Sequence, residues 1–319
     1  TWKQLLEENI LKMGTKTVWN DNCEMDGVED RDAQCDFEGK KGTMAELKIL
    51  HSNLMAYTAK HALAEVYPGE RPYIINRAGY AGIQRYAQVW GGDNLTDWRT
   101  VKFNIATILD IGGFAGPAPE AELLLRWLQN GVLQPRFCLN SANNDNTVTQ
   151  PWMYEENLPY IREAYKLRYR LMPTLYSLMY ESNQDGMPAW RPLFLEFPDD
   201  PKCYTDKNLT FMFGKSILVA NVVEKGATTR TIYLPAGCKW YDMSDNLREY
   251  EGGQTIEIPV TLASIPMFLR GSAIVATSED VKHILRDTMH QLDLLVAAET
   301  DTSFVLYDDD GHTEDYKNG

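Results

Sequence analysis

The stretch Thr15-Lys16-Thr17-Val18-Trp19-Asn20-Asp21-Asn22-Cys23-Glu24 decides the fold. Its β-branched and aromatic start reads as a short strand over residues 15–19, and a polar, carboxylate-bearing run follows at once. Upstream, Leu5, Leu6, Ile10 and Leu11 recur at helical spacing, so residues 2–14 read as an amphipathic helix that Gly14 ends. Downstream, residues 20–42 are polar, acidic and glycine-containing, which reads as a loop. Residues 44–67 form a long helical pattern broken by Pro68-Gly69, and residues 71–75 read as a second strand. Helix, strand, loop, helix, strand, loop is the rhythm of parallel βα units.

The pattern continues to about residue 190. Residues 98–109 read equally as helix or strand, residues 119–129 as helix, and residues 154–183 as one long helix carrying Pro173. In (β/α)₈ barrels the chemistry sits in loops after the C-terminal ends of strands. Asp21 follows the first strand, and Asp93 lies in the loop region after the second. Beyond residue 190 the texture changes. Residues 211–223, 228–234, 255–259 and 267–276 are short strand-like runs punctuated by Gly and Pro, the pattern of a β-sandwich. Residues 278–319 repeat it and end in Tyr307-Asp308-Asp309-Asp310-Gly311. That acidic run lacks the carboxylate ladder of a calcium loop, so a solvated turn is expected there.

Composition removes several function classes. The formal charge is −14 and the pI about 4.9, without a basic run, so a nucleic-acid partner is not expected. No apolar stretch approaches the roughly 20 residues that span a bilayer, and a membrane partner is not expected either. Five cysteines (23, 35, 138, 203 and 238) are scattered without a CxxC pair, which argues for a reducing compartment, the cytoplasm, over a disulfide framework or zinc site. The five histidines (51, 61, 283, 290 and 312) leave residues 62–282 empty, so a Ser-His-Asp triad or histidine metal site in mid-chain is excluded. Chemistry there must use carboxylates, Arg, Tyr or Cys. Eight Trp and seventeen Tyr suit flat apolar ligands such as sugar rings, although cores also use them.

Two segments concentrate carboxylates beside Trp and Asn just past a strand. One is Val18-Trp19-Asn20-Asp21-Asn22-Cys23-Glu24. The other runs from Asn76-Arg77-Ala78-Gly79 through Gln84-Arg85-Tyr86 to Trp90-Gly91-Gly92-Asp93-Asn94. Taken alone, an Asp in a Gly-Asp-Asn run is a turn former.

Together these segments resemble glycoside hydrolase family 31. The first is similar to that family's Trp-x-Asp-Met-Asn-Glu nucleophile motif, with Asn22 for Met and Cys23 for Asn. The second is similar to its acid/base motif ending in Trp-x-Gly-Asp-Asn. Asp110-Ile111-Gly112-Gly113-Phe114-Ala115-Gly116 and Arg126-Trp127-Leu128-Gln129-Asn130-Gly131 resemble the family too, as do residues 155–180 and the C-terminal sandwich. The resemblance implies an α/β fold: the C-terminal part of a (β/α)₈ TIM barrel at residues 1–190, then two small β-sandwich domains at 191–277 and 278–319. It implies a retaining glycosidase acting on terminal α-linked sugars of an oligosaccharide or α-glycoside, with no cofactor and no metal. Asp21 would be the nucleophile, Asp93 the acid/base, and Arg77 a partner of both nucleophile and substrate. Trp19, Trp90 and Asp110 would line the sugar subsite. Such an enzyme needs two carboxyl groups about 5–5.5 Å apart, one ionised to attack the anomeric carbon and one holding a proton for the leaving oxygen. α-Glucosidase is the default activity. The family also holds α-xylosidases, α-galactosidases, α-N-acetylgalactosaminidases and transglycosylases, and a non-catalytic carbohydrate-binding homologue is the alternative of another class. Homo-oligomerisation stays open.

Three departures from the family pattern stand out. A (β/α)₈ barrel takes about 250 residues, so its early strands are expected before Thr1. Ile108-Leu109 runs directly into Asp110, where the family carries a further strand stretch. Asn140 stands near the place of a histidine that contacts a substrate hydroxyl, and serves there as a contact or as a plain loop residue.

Overall fold

The computed structural model describes residues 1–319 apart from 26, 28, 38, 108–113, 116–118, 138, 140–148, 206, 208, 281–290 and 319, and apart from the side chains of 106, 107, 114 and 115. Two compact units emerge. One joins residues 1–93 to residues 309–319, and the other is residues 94–308.

In the first unit, α1 (Trp2–Asn9) leads to β1 (Thr17–Asn20). The expected helix over 2–14 is shorter, because the chain tightens at Leu11–Met13 into a single 3₁₀ turn that Gly14 ends at φ 105°. A hairpin follows, β2 (Gln34–Phe37) and β3 (Lys40–Thr43), inside the stretch expected to be loop. Then α2 (Met44–Val66) starts where the Glu46 carboxylate accepts the Thr43 N–H at 2.9 Å, the N-terminal bond that a Thr-x-x-Glu run supplies. β4 (Tyr73–Asn76) and β5 (Gln88–Val89) complete a parallel sheet in the order β1-β4-β5. Ala59, Ala62 and Leu63 of α2 close over Leu11 and Ile74, and the small alanines let the helix lie near the sheet. Successive strand side chains alternate between faces. Ile74 and Asn76 turn toward α2, and Ile75 and Arg77 turn away from it.

The acidic run at 307–311 is a turn, and more than a solvated one. The Asp310 carboxylate accepts the N–H groups of His312 and Thr313 and the Thr313 hydroxyl. Those bonds hold Asp310 down to about 2. Asp309 lies 2.8 Å from Arg71, an ion pair that fixes the turn to the start of β4.

The second unit begins with β6 (Asn94–Leu95), α3 (Trp98–Thr107) and β7 (Phe114–Ala115), β6 and β7 pairing in parallel. The helices α4 (Ala121–Gly131), α5 (Leu158–Arg170) and α6 (Met172–Asp185) follow. The single helix expected over 154–183 is two, parted at Leu171 with Pro173 in the first turn of α6. Proline has no N–H to give the preceding turn, and its ring crowds the carbonyl four residues back.

A six-stranded antiparallel sheet comes next, built from β8 (Trp190–Pro192), β9 (Phe211–Phe213), β10 (Ile217–Val219), β12 (Lys239–Asp242), β13 (Arg248–Glu251) and β15 (Met267–Arg270). Its order is β13-β12-β15-β10-β9-β8, and α7 (Leu193–Glu196) follows β8. β11 (Thr229–Leu234) pairs with β14 (Gln254–Pro259), and β16 (Ala273–Ser278) with β17 (Leu292–Ala297). Alternation assigns the two faces. Met212, Leu218 and Phe268 pack with Ile232, Leu234 and Ile258 of the β11–β14 pair, so these two sheets make a sandwich. Phe211, Phe213, Ile217, Val219 and Leu269 face the other way, onto Trp127, Ala164, Leu175 and Leu178 of α4, α5 and α6. Buried on both faces, these strands read as unbroken apolar runs. Among the described residues no helix is long and apolar enough to cross a membrane, and no cluster of His, Cys, Asp and Glu could hold a metal ion. Cys23, Cys35, Cys203 and Cys238 are free thiols.

Candidate active site

Strand register builds the site. Asn20 lies opposite Asn76, and Asn76 opposite Val89. Asp21, Arg77 and Trp90 therefore leave three adjacent strand ends side by side. Two backbone bonds carry the ladder one rung further: Arg77 N–H to Asn20 O at 3.1 Å and Trp90 N–H to Asn76 O at 3.0 Å. This is the C-terminal edge of a parallel sheet, the edge at which barrel enzymes place their chemistry.

Arg77 is the centre of the cluster. Its side chain is only 15% exposed, whereas Asp21 and Asp93 are 54% and 66% exposed. Arg77 Nη1 lies 3.1 Å from Asp21 Oδ1 and 3.9 Å from Asp93 Oδ2. A shared nitrogen at those distances caps the separation of the two oxygens at about 7 Å, a range that contains the spacing a retaining glycosidase uses. Burial disfavours the Arg77 charge, but the ion pair with Glu24 and the fields of Asp21 and Asp93 outweigh it, and the guanidinium is held above its usual range. Its charge is permanent under all ordinary conditions.

Two contacts of Arg77 were not foreseen. Its Nε pairs with Glu24, and its Nη2 donates to Asn22 Oδ1. Glu24 belongs to the quoted motif, but nothing in its spacing says which way it points. The loop conformation decides that. Asn22 and Met25 sit at φ 50° and 55°, and Met25 N–H bonds to Asn22 O at 3.3 Å, a turn that brings residues 21, 22 and 24 onto one guanidinium. Asn tolerates the left-handed region better than the Met of the family motif would, because its short polar side chain bonds locally.

Trp19 and Trp90 meet edge to face with ring centroids 5.0 Å apart. Trp90 is buried and Trp19 is exposed, so the pair offers one open indole at the strand ends that carry Asp21 and Arg77. Glu24, Arg77, Ala78, Gly91, Gly92 and Asp93 line a cleft of about 410 Å³, the size class of small-ligand sites. Gly92 is needed where it stands. Its φ is +78°, and a Cβ there would come within 3.4 Å of Arg77 Cδ. Trp19, Asp21, Arg77, Trp90 and Asp93 are thus brought together, while Asp110 and Asn140 lie outside the described residues.

Comparison with known proteins identifies the family. The Glycosyl hydrolases family 31 TIM-barrel domain matches residues 1–178, and the Glycosyl hydrolase family 31 C-terminal domain matches residues 186–275. The chain belongs to glycosyl hydrolase family 31, with a TIM-barrel domain followed by a C-terminal β-sandwich domain. It is 37% identical to human neutral alpha-glucosidase C over 88% of this chain and 34% of that protein. It is 32% identical to alpha-glucosidase 2 of Bacillus thermoamyloliquefaciens over 96% of this chain and 41% of that protein. A Flavobacterium johnsoniae GH31 dextranase, complexed with glucose, superposes with a TM-score of 0.89 at 28% identity, covering 99% of this chain and 42% of that one. A GH31 alpha-xylosidase from Xanthomonas citri gives 0.86 at 28% identity, covering 100% and 37%. The chain spans about a third of the length of most of the curated relatives it matches.

Proposed function

We propose that this chain carries the catalytic centre of a retaining α-glycosidase, an α-glucosidase before any other. The observation that carries the reading is Arg77, which touches both carboxylates from a largely buried position. In this reading Asp21 attacks the anomeric carbon and forms a covalent glycosyl intermediate. Asp93 gives a proton to the leaving oxygen, then takes one from the water that releases the sugar. Arg77 orients Asp21 and neutralises it without blocking its second oxygen. Exposed Trp19 stacks on the apolar face of the pyranose, with Trp90 behind it. Asp110 and Asn140 are proposed as further contacts to sugar hydroxyls. The substrate is the non-reducing end of an oligosaccharide or a simple α-glycoside.

Human neutral alpha-glucosidase C and the Bacillus alpha-glucosidase 2 favour glucose as the sugar, and the dextranase and alpha-xylosidase neighbours mark the alternatives. The matched models, ending at 178 and 275, are in keeping with a catalytic barrel part at 1–190 and a proximal sandwich at 191–277, and residues 278–319 are proposed as the start of a distal sandwich on their sequence texture alone. A panel of nitrophenyl α-glycosides on the intact protein tests the sugar, and NMR of the first-formed product tests the stereochemistry. The α-anomer is expected. A first-formed β-anomer overturns the double-displacement reading, and binding of sugar without turnover points to a non-catalytic homologue. Transfer products at high sugar concentration would mark a transglycosylase.

A further inference from the structure

We propose that the buried carboxamides of Asn20 and Asn76 are positioning residues for the Asp21–Arg77 pair, an inference that rests on the glycosidase reading above. Each directly precedes a site residue on its strand. The two lie in register across β1 and β4, and both are shut off from solvent. Asn20 Nδ2 donates to Asn76 Oδ1 at 2.7 Å. Asn76 Nδ2 donates in turn to Ser52 O of α2 at 2.8 Å and to Ala78 O at 3.3 Å. One side chain therefore ties both strand ends, the helix behind them and the residue just past Arg77.

Cys23 completes the arrangement from the other loop. Its buried Sγ accepts the Ala78 N–H at 3.2 Å and lies 3.7 Å from Asn20 O and 3.8 Å from Ala78 O. Burial pushes the thiol up, so it stays a neutral S–H donor toward those carbonyls. His51 Nδ1 lies 3.0 Å from Cys23 O and holds the same loop to α2.

The ladder alone fixes strand register as far as the Arg77 and Trp90 N–H groups. It does not fix where the chain goes next. Ala78 has its N–H held by Cys23 and its carbonyl held by Asn76, which sets the peptide planes on the far side of Arg77. By alternation the side chains at 20 and 76 point toward α2 while that of Arg77 lines the cleft. The carboxamides do not face the cleft and act only through their neighbours. A buried hydrogen-bond network of this kind favours one geometry, and its value is greatest where a small displacement of a reacting group is costly.

The test uses Asn20→Ala, Asn76→Leu and the double variant in the intact protein. The readouts are thermal unfolding, kcat and KM on an aryl α-glucoside, and the Kd of a basic iminosugar carrying the gluco hydroxyls. Folded single variants are expected to lose about tenfold or more in kcat with KM within about threefold, the split that marks transition-state positioning. The iminosugar, a cation that mimics the charged transition state, should bind about tenfold more weakly. The double variant should lose less than the product of the singles, because the two side chains act as one unit. Should Asn76→Leu fail to fold, Asn76→Ser carries the same test. Folded variants with kcat and Kd within about twofold of wild type overturn the proposal, and so do strictly multiplicative losses. An inert wild type sinks the glycosidase reading alone, and the iminosugar Kd still decides the positioning claim.

Discussion

Two sheets in this chain follow opposite rules. The middle strands of the six-stranded sheet, β9, β10 and β15, are apolar on both faces, with Phe213, Met212, Leu218 and Leu269 all essentially solvent-free. The parallel β1-β4-β5 sheet is apolar only along part of its length. Its C-terminal edge carries Asn20, Asp21, Asn76 and Arg77. Removal of apolar surface from water holds the first together. The second keeps its end in place with directed bonds, a largely buried guanidinium and two left-handed residues, Asn22 and Met25. Dry packing tolerates no change of volume, whereas directed bonds tolerate no change of partner. The two regions should therefore fail differently when altered.

The largest expected effect is on the dry side. Trp190 is 1% exposed, packs on Phe211 and donates its indole N–H to Leu133 O at 2.7 Å. Trp190→Ala should destabilise the second unit by about 3–5 kcal/mol, the range for large aromatic truncations. Urea unfolding followed by circular dichroism measures it, and a loss below about 1 kcal/mol would mean that the cavity collapses.

Arg77→Lys is the matching change on the polar side. The ammonium keeps the charge but cannot reach Asp21, Glu24 and Asn22 together. Activity should fall about a hundredfold, or about 2.7 kcal/mol of transition-state stabilisation, with little change in unfolding. An equal loss of stability would show that Arg77 holds the fold before it serves the chemistry.

A smaller effect combines both rules. Asp200 is buried within the sandwich and accepts the Tyr233 hydroxyl at 2.5 Å and the Ala236 N–H at 2.9 Å. Burial alone would raise its carboxyl, but these bonds outweigh it and hold the group below its usual range. A depressed carboxylate stabilises the fold above its unfolded-state value and loses that contribution as pH falls through the folded value. Asp200→Asn should therefore cost about 1–2 kcal/mol at neutral pH, and the gap to wild type should narrow below about pH 4. A gap independent of pH would assign the loss to packing.

How much could be read beforehand follows from the same contrast. The strands of the dry sheet appeared as apolar runs at 211–223 and 267–276, because burial on both faces leaves a signal in every residue. Strands β12 and β13 did not: Lys239-Trp240-Tyr241-Asp242 carries charges at two of its four positions and Arg248-Glu249-Tyr250-Glu251 at three of four. The β2–β3 hairpin was hidden for the same reason, with Lys40, Lys41 and Asp36 at its exposed positions. The parting of α5 from α6 was marked by Pro173, but helical spacing on both sides of it reads through the break.

The candidate site was legible in its residue types, since Trp19, Asp21, Arg77, Trp90 and Asp93 were all singled out and all converge. Glu24 and Asn22 were in view without a role, because their direction depends on two positive φ angles that spacing does not encode. The carboxamide pair was invisible as a pair. Fifty-six positions separate Asn20 from Asn76, and only the parallel register puts them in contact.

The central claim is that Asp21, oriented by Arg77, is the nucleophile of a retaining mechanism. Treating the intact protein with a mechanism-based fluoro-sugar and mapping the labelled peptide by mass spectrometry tests this directly. The account predicts one sugar adduct, on Asp21, in the peptide that holds Val18-Trp19-Asn20-Asp21-Asn22-Cys23. An adduct on Glu24 or Asp93, or a turning-over protein that forms no adduct, would contradict it.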